Sequence, residues 1–296
     1  MSAIPPPASP APHVADAFGQ ALWHWVQGEV DLEIYERPDG YMEAGPGPDA
    51  YLAEYRDWPA AERAMVRLAR GRVVDVGCGA GRVALYLQDK GRQVTAIDAS
   101  AHAVRATRHR GVTDVRRMTT DDLTCCIEGY DTVILFGNNL GIFGTPEQVR
   151  LGLTQWARHM RPGARLLVES TSPHGGGVPT VDRAWRLRNR AMGRMAGHTD
   201  LRIRYRQWTT PWFSWLFVSP AELRTLLRGT GWQVTRVEAP GPSEPYVAVL
   251  ELGPSLPPSA DAGVADPPPD AGGGSSDAVA PEDATRAAAG GMSAPL

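Results

Sequence analysis

A loop of alternating glycines constrains the fold of this chain more than any other feature. The loop follows a short apolar stretch, Val73–Val76, and leads into a helical stretch, Arg82–Lys90; its residues are Asp75, Val76, Gly77, Cys78, Gly79, Ala80 and Gly81. Glycine adopts backbone conformations that other residues avoid, and without a Cβ it lets the backbone approach a ligand closely. A buried strand, a glycine turn and a helix in this order predict a ligand site at the end of the strand.

Further apolar stretches alternate with helical ones along the chain. The predicted strands that follow the loop are Gln93–Asp98, Val112–Met118, Asp131–Phe136 and Arg165–Glu169, and the predicted helices between them are Ala101–His109 and Pro146–Met160. A helix at Pro220–Arg228 then leads to two last strands, Trp232–Glu238 and Tyr246–Leu250. This order predicts an α/β fold with a doubly wound, mostly parallel seven-stranded sheet and a C-terminal antiparallel hairpin.

The rest of the chain divides by composition. Residues 1–12 and 253–296 are rich in proline, alanine and glycine and poor in apolar bulk, which predicts a disordered leader and a disordered tail. Residues 13–70 are expected to form a helical N-terminal cap, with helices at Ala17–Val26 and Ala60–Ala69. Residues 71–252 form the predicted main domain, in which 171–218 is an insertion after the fifth strand.

Composition also excludes several classes of protein. A net charge of -3 argues against a protein that coats nucleic acid. No apolar run approaches the roughly eighteen residues of a membrane helix, and the N-terminus lacks the pattern of a signal peptide. The three cysteines, Cys78, Cys125 and Cys126, give neither a disulfide framework nor metal-ligand spacing. These features favour a cytoplasmic protein without a metal, a membrane partner or a nucleic-acid partner.

The segment from Arg72 to Glu251 resembles the class I, Rossmann-like S-adenosylmethionine-dependent methyltransferases. The glycine loop alone would also suit a dinucleotide, but the Gly-x-Gly-x-x-Gly pattern needs a third glycine where this chain has Arg82. Asp98 ends the next strand about twenty residues on, where a carboxylate accepts both ribose hydroxyls. With its cap and insertion, the whole chain is similar to uncharacterised actinobacterial small-molecule methyltransferases.

The resemblance implies a set of residues for S-adenosylmethionine. Asp75 would hold the amino end of the cofactor, directly or through water, and Ala99 would lie against adenine. After the third strand, Asp121 is the preferred acceptor for the exocyclic amine of adenine, with Asp122 as the alternative. The full set expected to bind the cofactor is Asp75, Gly77, Cys78, Gly79, Gly81, Asp98, Ala99, Thr120, Asp121, Asp122, Gly137, Asn138 and Asn139.

The acceptor of the methyl group is less marked in the sequence. The resemblance implies that the insertion builds the acceptor pocket, where Arg186 and Arg190 could clamp a carboxylate or phosphate. Tyr41 or Tyr51 in the cap could face the sulfonium. The other interpretation is that the arginines of the insertion form a solvated basic face and its tryptophans fill a core. In Leu201–Arg206 three arginines alternate, which predicts that they share one face of a strand. An RNA acceptor would use the same residue types.

A general base is optional for methyl transfer, and two residues are candidates: Glu169 at the end of the fifth strand and His174 in the loop that follows. The predicted function is transfer of a methyl group from S-adenosylmethionine to an oxygen, nitrogen or carbon nucleophile of a small metabolite. An anionic metabolite is one candidate. The alternatives are an RNA or protein methyltransferase and a cofactor-binding regulatory protein without catalysis.

Overall fold

A computed structural model describes residues 13–254 of the chain. The predicted leader and all but the first two residues of the predicted tail lie outside the described residues. The strands, in chain order, are β1 (His13–Val14), β2 (Ile34–Glu36), β3 (Met42–Ala44), β4 (Arg72–Val76), β5 (Gln93–Asp98), β6 (Val115–Arg117), β7 (Thr132–Leu135), β8 (Arg165–Thr171), β9 (His198–Tyr205), β10 (Trp208–Thr209), β11 (Phe213–Leu216), β12 (Trp232–Glu238) and β13 (Pro245–Leu252).

The helices lie between these strands and begin at recognisable capping residues. Asp16, Ser100, Thr145 and Ser219 each accept a backbone hydrogen bond in the first turn of the helix that follows. The α-helices, in chain order, are α1 (Ala17–Trp25), α2 (Pro48–Tyr51), α3 (Ala60–Val66), α4 (Arg82–Asp89), α5 (Ala101–His109), α6 (Thr120–Thr124), α7 (Pro146–His159), α8 (Arg183–Ala191) and α9 (Pro220–Leu226).

Seven strands form one large sheet in the order β12-β13-β8-β7-β4-β5-β6. Strand β13 runs antiparallel to both of its neighbours, whereas β4 to β8 pair in parallel. The doubly wound sheet and its C-terminal hairpin are therefore confirmed. The third strand, β6, is shorter than predicted, since it lies at the edge and pairs with β5 alone.

Alternate residues of the central strand β7 face two separate cores. Val133 and Leu135 pack on one face of the sheet with side chains from α7 and α9, while Ile134 packs on the other face with side chains from α3 and α4. Because side chains alternate along a strand, a short apolar run such as this one must be covered on both faces. The carboxyl ends of β4, β5 and β7 consequently meet at one edge, beside the glycine loop.

A second, smaller sheet joins the N-terminal region to the insertion. Its strands follow the order β1-β10-β9-β2-β3, and β11 also pairs with β9, antiparallel to it. Tyr35 of β2 lies opposite Glu43 of β3 and Ile203 of β9. The N-terminal region is thus only partly helical, because its short β2–β3 hairpin becomes stable by adding to a strand about 160 residues away. No helix within residues 13–254 has the length and apolar character of a membrane span.

Candidate active site

The glycine loop takes the left-handed backbone conformation three times. The φ angles are 67° at Gly77, 56° at Gly79 and 77° at Gly81, all values that favour glycine. A Cβ at Gly77 would lie 2.5 Å from Nδ2 of Asn139, so the turn also needs glycine for space. The amides of Gly77 and Cys78 both donate to the carbonyl of Ile97, which ties the loop to the end of β5.

Two buried carboxyl groups flank this loop. Asp98 accepts hydrogen bonds from the backbone N–H of Gly79 at 3.0 Å and of Ser100 at 2.8 Å, and Asp75 accepts one from the N–H of Ala84 at 3.2 Å. Burial raises the pKa of each carboxyl to about 7. The loop amide and the first turn of α4 are therefore held by groups that change charge near neutral pH.

The segment after β7 completes the loop environment. Asn139 donates its side-chain amide to the carbonyls of Val76, at 2.8 Å, and Gly77, at 2.9 Å. Asn138 has a left-handed φ of 62°, and its side-chain oxygen accepts a hydrogen bond from the hydroxyl of Thr171. Asn139 thus supports the backbone of the glycine loop, and Gly137, Asn138 and Asn139 all line a cavity.

That cavity has a volume of about 550 Å³ and opens above the loop, within the range of roughly 300–1,000 Å³ typical of small-molecule sites. Most of the residues expected to bind the cofactor line it: Asp75, Gly77, Cys78, Gly79, Asp98, Gly137, Asn138 and Asn139. We call these the glycine-loop wall. The other five expected residues do not line it: Gly81, Ala99, Thr120, Asp121 and Asp122.

The segment expected to contact adenine has a structural role of its own. The hydroxyl of Thr119 accepts the backbone N–H of Asp122, and the Asp122 carboxylate accepts the N–H of Thr119 at 2.9 Å, which forms a capping box at the start of α6. The hydrogen bond from the Thr119 backbone lowers the pKa of Asp122. Asp122 therefore stabilises the helix.

A buried ion pair connects the glycine loop to the cap. The guanidinium of Arg82 binds the carboxylate of Glu62 through two nitrogens, one of them at 2.6 Å, and lies over the ring of Trp58. Arg82 therefore has a structural role, because its side chain joins the start of α4 to the cap. Sequence reasoning missed Glu62, although an acid on the same helical face as Met65 and Val66 is a usable signal.

Glu169 lies beside this pair and lines the cavity, as expected for the end of a strand. Its carboxyl group accepts the backbone N–H of Gly137 at 2.9 Å. Burial, reinforced by the nearby Glu62 carboxylate, raises the pKa of Glu169 well above its usual range. The protonated form is therefore favoured at neutral pH, and this group is poorly suited to accept a proton.

The opposite side of the cavity comes from the cap and the insertion. Tyr35 and Tyr51 join their hydroxyl groups at 2.8 Å, and the Tyr51 ring packs edge-to-face on Phe18 with centroids 5.1 Å apart. We call this side the cap wall; its residues are Phe18, Tyr35, Glu43, Pro46, Asp49, Ala50, Tyr51, Val178, Thr180, Leu201, Trp215 and Phe217. Sequence analysis had pointed to Tyr51 and to the insertion, residues 171–218, but not to the other cap residues of this wall.

The remaining predicted catalytic and acceptor residues lie elsewhere. His174 is half exposed, does not line the cavity, and its Nε2 lies 3.2 Å from the carboxylate of Glu222. The hydroxyl of Tyr41 donates to Glu43 at 2.9 Å, and its ring carries the guanidinium of Arg37. Tyr41 therefore reaches the cavity only through its partner Glu43.

The arginines of the insertion do not form a clamp in the cavity. Arg186 donates to the carbonyls of Pro173 and Val181, and Arg190 is exposed on α8. Arg202 and Arg204 share one strand face, as predicted, and there they bind Glu36. Arg206, the third arginine of the alternating run, follows the end of β9 and pairs with Glu29 and Asp31 of the cap. The structure therefore supports the interpretation in which these arginines form surface contacts and packing contacts.

Comparison with known proteins agrees with this geometry. The family described as methyltransferase domain matches residues 73–163. A cypemycin N-terminal methyltransferase from a Streptomyces species is 25% identical over 246 residues, which cover 75% of this chain and 93% of that protein. The trans-aconitate 2-methyltransferase of Mycobacterium tuberculosis is 34% identical over 128 residues, or 41% of this chain. The matched part spans 47% of that relative's length.

Among solved structures, a methyltransferase from Bacteroides fragilis, determined with S-adenosyl-L-homocysteine, has a TM-score of 0.66 at 24% identity and covers 80% of this chain and 95% of its own. That likeness establishes the fold. The fold, the glycine loop and the family match together define a class I, Rossmann-like methyltransferase. The chain is an S-adenosylmethionine-dependent methyltransferase.

Proposed function

We propose that this enzyme transfers a methyl group to an oxygen, nitrogen or carbon nucleophile of a small metabolite that binds against the cap wall. The observation that carries the proposal is the single cavity that joins the glycine-loop wall to an aromatic cap wall. Methyl transfer needs chiefly alignment of nucleophile and methyl group and exclusion of water. A cavity covered by Tyr35, Tyr51 and Trp215 supplies both.

The glycine-loop wall fits S-adenosylmethionine by the chemistry of its groups. The buried carboxylate of Asp98 would accept the ribose hydroxyls, and Asp75 would hold the amino end. At Gly79 the loop faces open space, since the nearest described atoms apart from its chain neighbours, those of Leu22, lie 3.9 Å from a Cβ built there. When bound, the cofactor supplies an activated methyl group on a sulfonium; the protein then needs to orient the acceptor and keep out water.

Glu169 has a positioning role in this proposal. Its hydrogen bond to Gly137 fixes the backbone at the end of β7, and its position beside Glu62 and Arg82 connects that backbone to the cap. We therefore no longer assign proton acceptance to Glu169. His174 and its partner Glu222 lie outside the cavity and are not needed for the transfer.

A methyl-label experiment tests the proposal. The protein is incubated with S-adenosylmethionine labelled in the methyl group, together with a metabolite extract, total RNA or total protein as parallel acceptors. We expect label in the metabolite fraction and loss of that label in Asp98→Ala. Label confined to RNA or protein would overturn the proposal. Calorimetry with S-adenosyl-L-homocysteine separates a failure of cofactor binding from a failure of acceptor choice.

A further inference from the structure

The cavity is lined unevenly by charge. Seven of its lining residues carry a carboxyl group, namely Glu43, Asp49, Asp57, Glu62, Asp75, Asp98 and Glu169, whereas Arg82 is the one basic residue among them. Arg82 is already bound by Glu62. An anionic acceptor would therefore meet several carboxylates and no available guanidinium or ammonium group along the described lining.

Six of these acids fall into three groups. Asp75 and Asp98 lie at the glycine loop, and Glu62 and Glu169 lie with Arg82. Glu43 and Asp49 remain on the cap wall, beside Tyr35 and Tyr51. The cap wall thus offers acids that neither the glycine loop nor Arg82 uses, next to ring faces that attract cations.

A second, independent observation lies behind these tyrosines. Glu33 is fully buried, and neither of its carboxylate oxygens makes a hydrogen bond of normal geometry within residues 13–254. Glu33 and Tyr35 are two residues apart, so they point to the same face of the β2–β3 hairpin. Glycine lies opposite Glu33, since a Cβ at Gly45 would be 2.0 Å from its Oε1. Burial raises the pKa of Glu33, and the nearby side chain of Tyr51 opposes that rise. A cation bound beside Tyr51 would favour the ionised form of this acid.

We propose that the acceptor is an amine that binds as a cation against Tyr35, Glu43, Asp49 and Tyr51. This inference rests on the proposed methyl transfer. The bound ammonium first loses a proton, to a cap-wall carboxylate or to water. The freed nitrogen lone pair then forms the N–C bond while the C–S bond breaks and the bonding electrons remain on sulfur. The products are a methylated ammonium and the thioether.

The two relatives named above illustrate the two kinds of acceptor, an amine and an acid. The Streptomyces relative is named for methylation of an N-terminus, and the mycobacterial relative for an acid, trans-aconitate. The match to the former covers most of both chains, whereas the match to the latter covers less than half of either. The acidic cap wall agrees with an amine and opposes a tricarboxylate.

Binding of matched probes tests the charge of the acceptor without turnover. Benzylamine, benzyl alcohol and benzoate share a ring and differ in the head group. With the protein saturated by S-adenosyl-L-homocysteine, we expect benzylamine to bind at least tenfold more tightly than benzoate, and Glu43→Gln to reduce that ratio severalfold. Glu54→Gln, at an exposed acid outside the cavity, is the control. Equal binding, or preference for benzoate, would overturn the amine inference.

Product chemistry gives the second readout. Label transferred to metabolites is treated with mild alkali and then passed over a cation exchanger. An N-methyl product keeps its label and is retained, a methyl ester loses its label, and a neutral ether passes through. Retained label supports the amine, whereas labile or unretained label overturns it and leaves the proposed methyl transfer intact. Absence of any labelled metabolite overturns both.

Discussion

The two walls of the cavity are built from opposite kinds of sequence information. The glycine-loop wall comes from residues that follow three neighbouring parallel strands, each located by a short local motif. The cap wall combines α1, β2, β3 and α2 with strands β9 and β11 of the insertion, so it exists only when segments far apart in sequence pair. A local motif therefore identifies the methyl donor, whereas long-range pairing shapes the wall proposed to bind the acceptor.

The largest effect is expected where the two walls meet. Replacing Arg82 by Met leaves Glu62 buried without its cation, and loss of one partner of a buried pair costs about 3–5 kcal/mol. We expect a fall of that size in the free energy of unfolding, measured in urea. The double variant Glu62→Gln/Arg82→Met should recover part of it, and Arg92→Met, at an exposed site, should change little. A loss below about 1 kcal/mol would show that the walls are not joined here.

Asp98→Ala should affect the glycine-loop wall next most strongly. A hydrogen bond to a charged group contributes about 1.5–3 kcal/mol, so affinity for S-adenosyl-L-homocysteine should fall roughly 10- to 150-fold. Calorimetry measures the change, with Asp89→Ala at an exposed position as the control. Unchanged affinity would remove Asp98 from the cofactor site.

The two buried aspartates of the glycine-loop wall should make the free energy of unfolding depend on pH. Burial raises the pKa of Asp75 and Asp98 from 3.8 to about 7, so between these values the folded state binds more protons than the unfolded state. The free energy of unfolding without ligand should therefore fall as pH rises from about 4 to about 7. Urea unfolding across this range measures it, and Asp98→Asn should flatten the slope. An identical slope in that variant would contradict the assignment.

Cofactor affinity should change in the opposite direction. The ionised carboxylates accept the ribose hydroxyls and the amino end, so affinity for S-adenosyl-L-homocysteine should rise through pH 7, by at most about tenfold per pH unit for each proton released. Titration calorimetry at pH 6 and pH 8 checks this. Weaker binding at pH 8 would contradict the roles given to these two groups.

A smaller effect is expected behind the cap wall. Hydrogen bonds from Arg202, with Arg204 contributing, lower the pKa of Glu36 to about 2, and this cluster joins β2 to β9. Glu36→Gln should lower the free energy of unfolding by roughly 1–2 kcal/mol, between the cost at exposed and at buried pairs. Affinity for S-adenosyl-L-homocysteine should remain unchanged. A loss of about 1–2 kcal/mol in the free energy of binding as well would show that the cap wall and the glycine-loop wall are energetically coupled.

The smallest effect is expected at the arginines once considered for an acceptor clamp. Arg190 is exposed on α8, so Arg190→Ala should change the free energy of unfolding by no more than about 0.5 kcal/mol. The KM for the acceptor should stay the same. A severalfold increase in KM would instead bring α8 into the acceptor site and reopen the case for an anionic substrate.

The sequence predicted the elements that local patterns mark, and it missed those that depend on long-range pairing. Strand β5 and helix α5 have the predicted bounds, because a periodic apolar pattern and a capping serine mark them. Strands β1, β2 and β10 were not predicted, since two or three residues carry no periodicity and become stable only in the assembled sheet. Glu62 is the instructive omission, because its meaning depends on Arg82, twenty residues later.

By itself the sequence determined the fold class and the methyl donor. The glycines at 77, 79 and 81, Asp98 one strand later, and the closing hairpin act over short distances, where backbone geometry permits few alternatives. Only the tertiary structure decided the lining of the cavity opposite the glycine loop. It directed Arg202 and Arg204 to Glu36 and brought Tyr35, Glu43 and Tyr51 to the cavity, because charges and rings pair with whatever long-range folding places beside them.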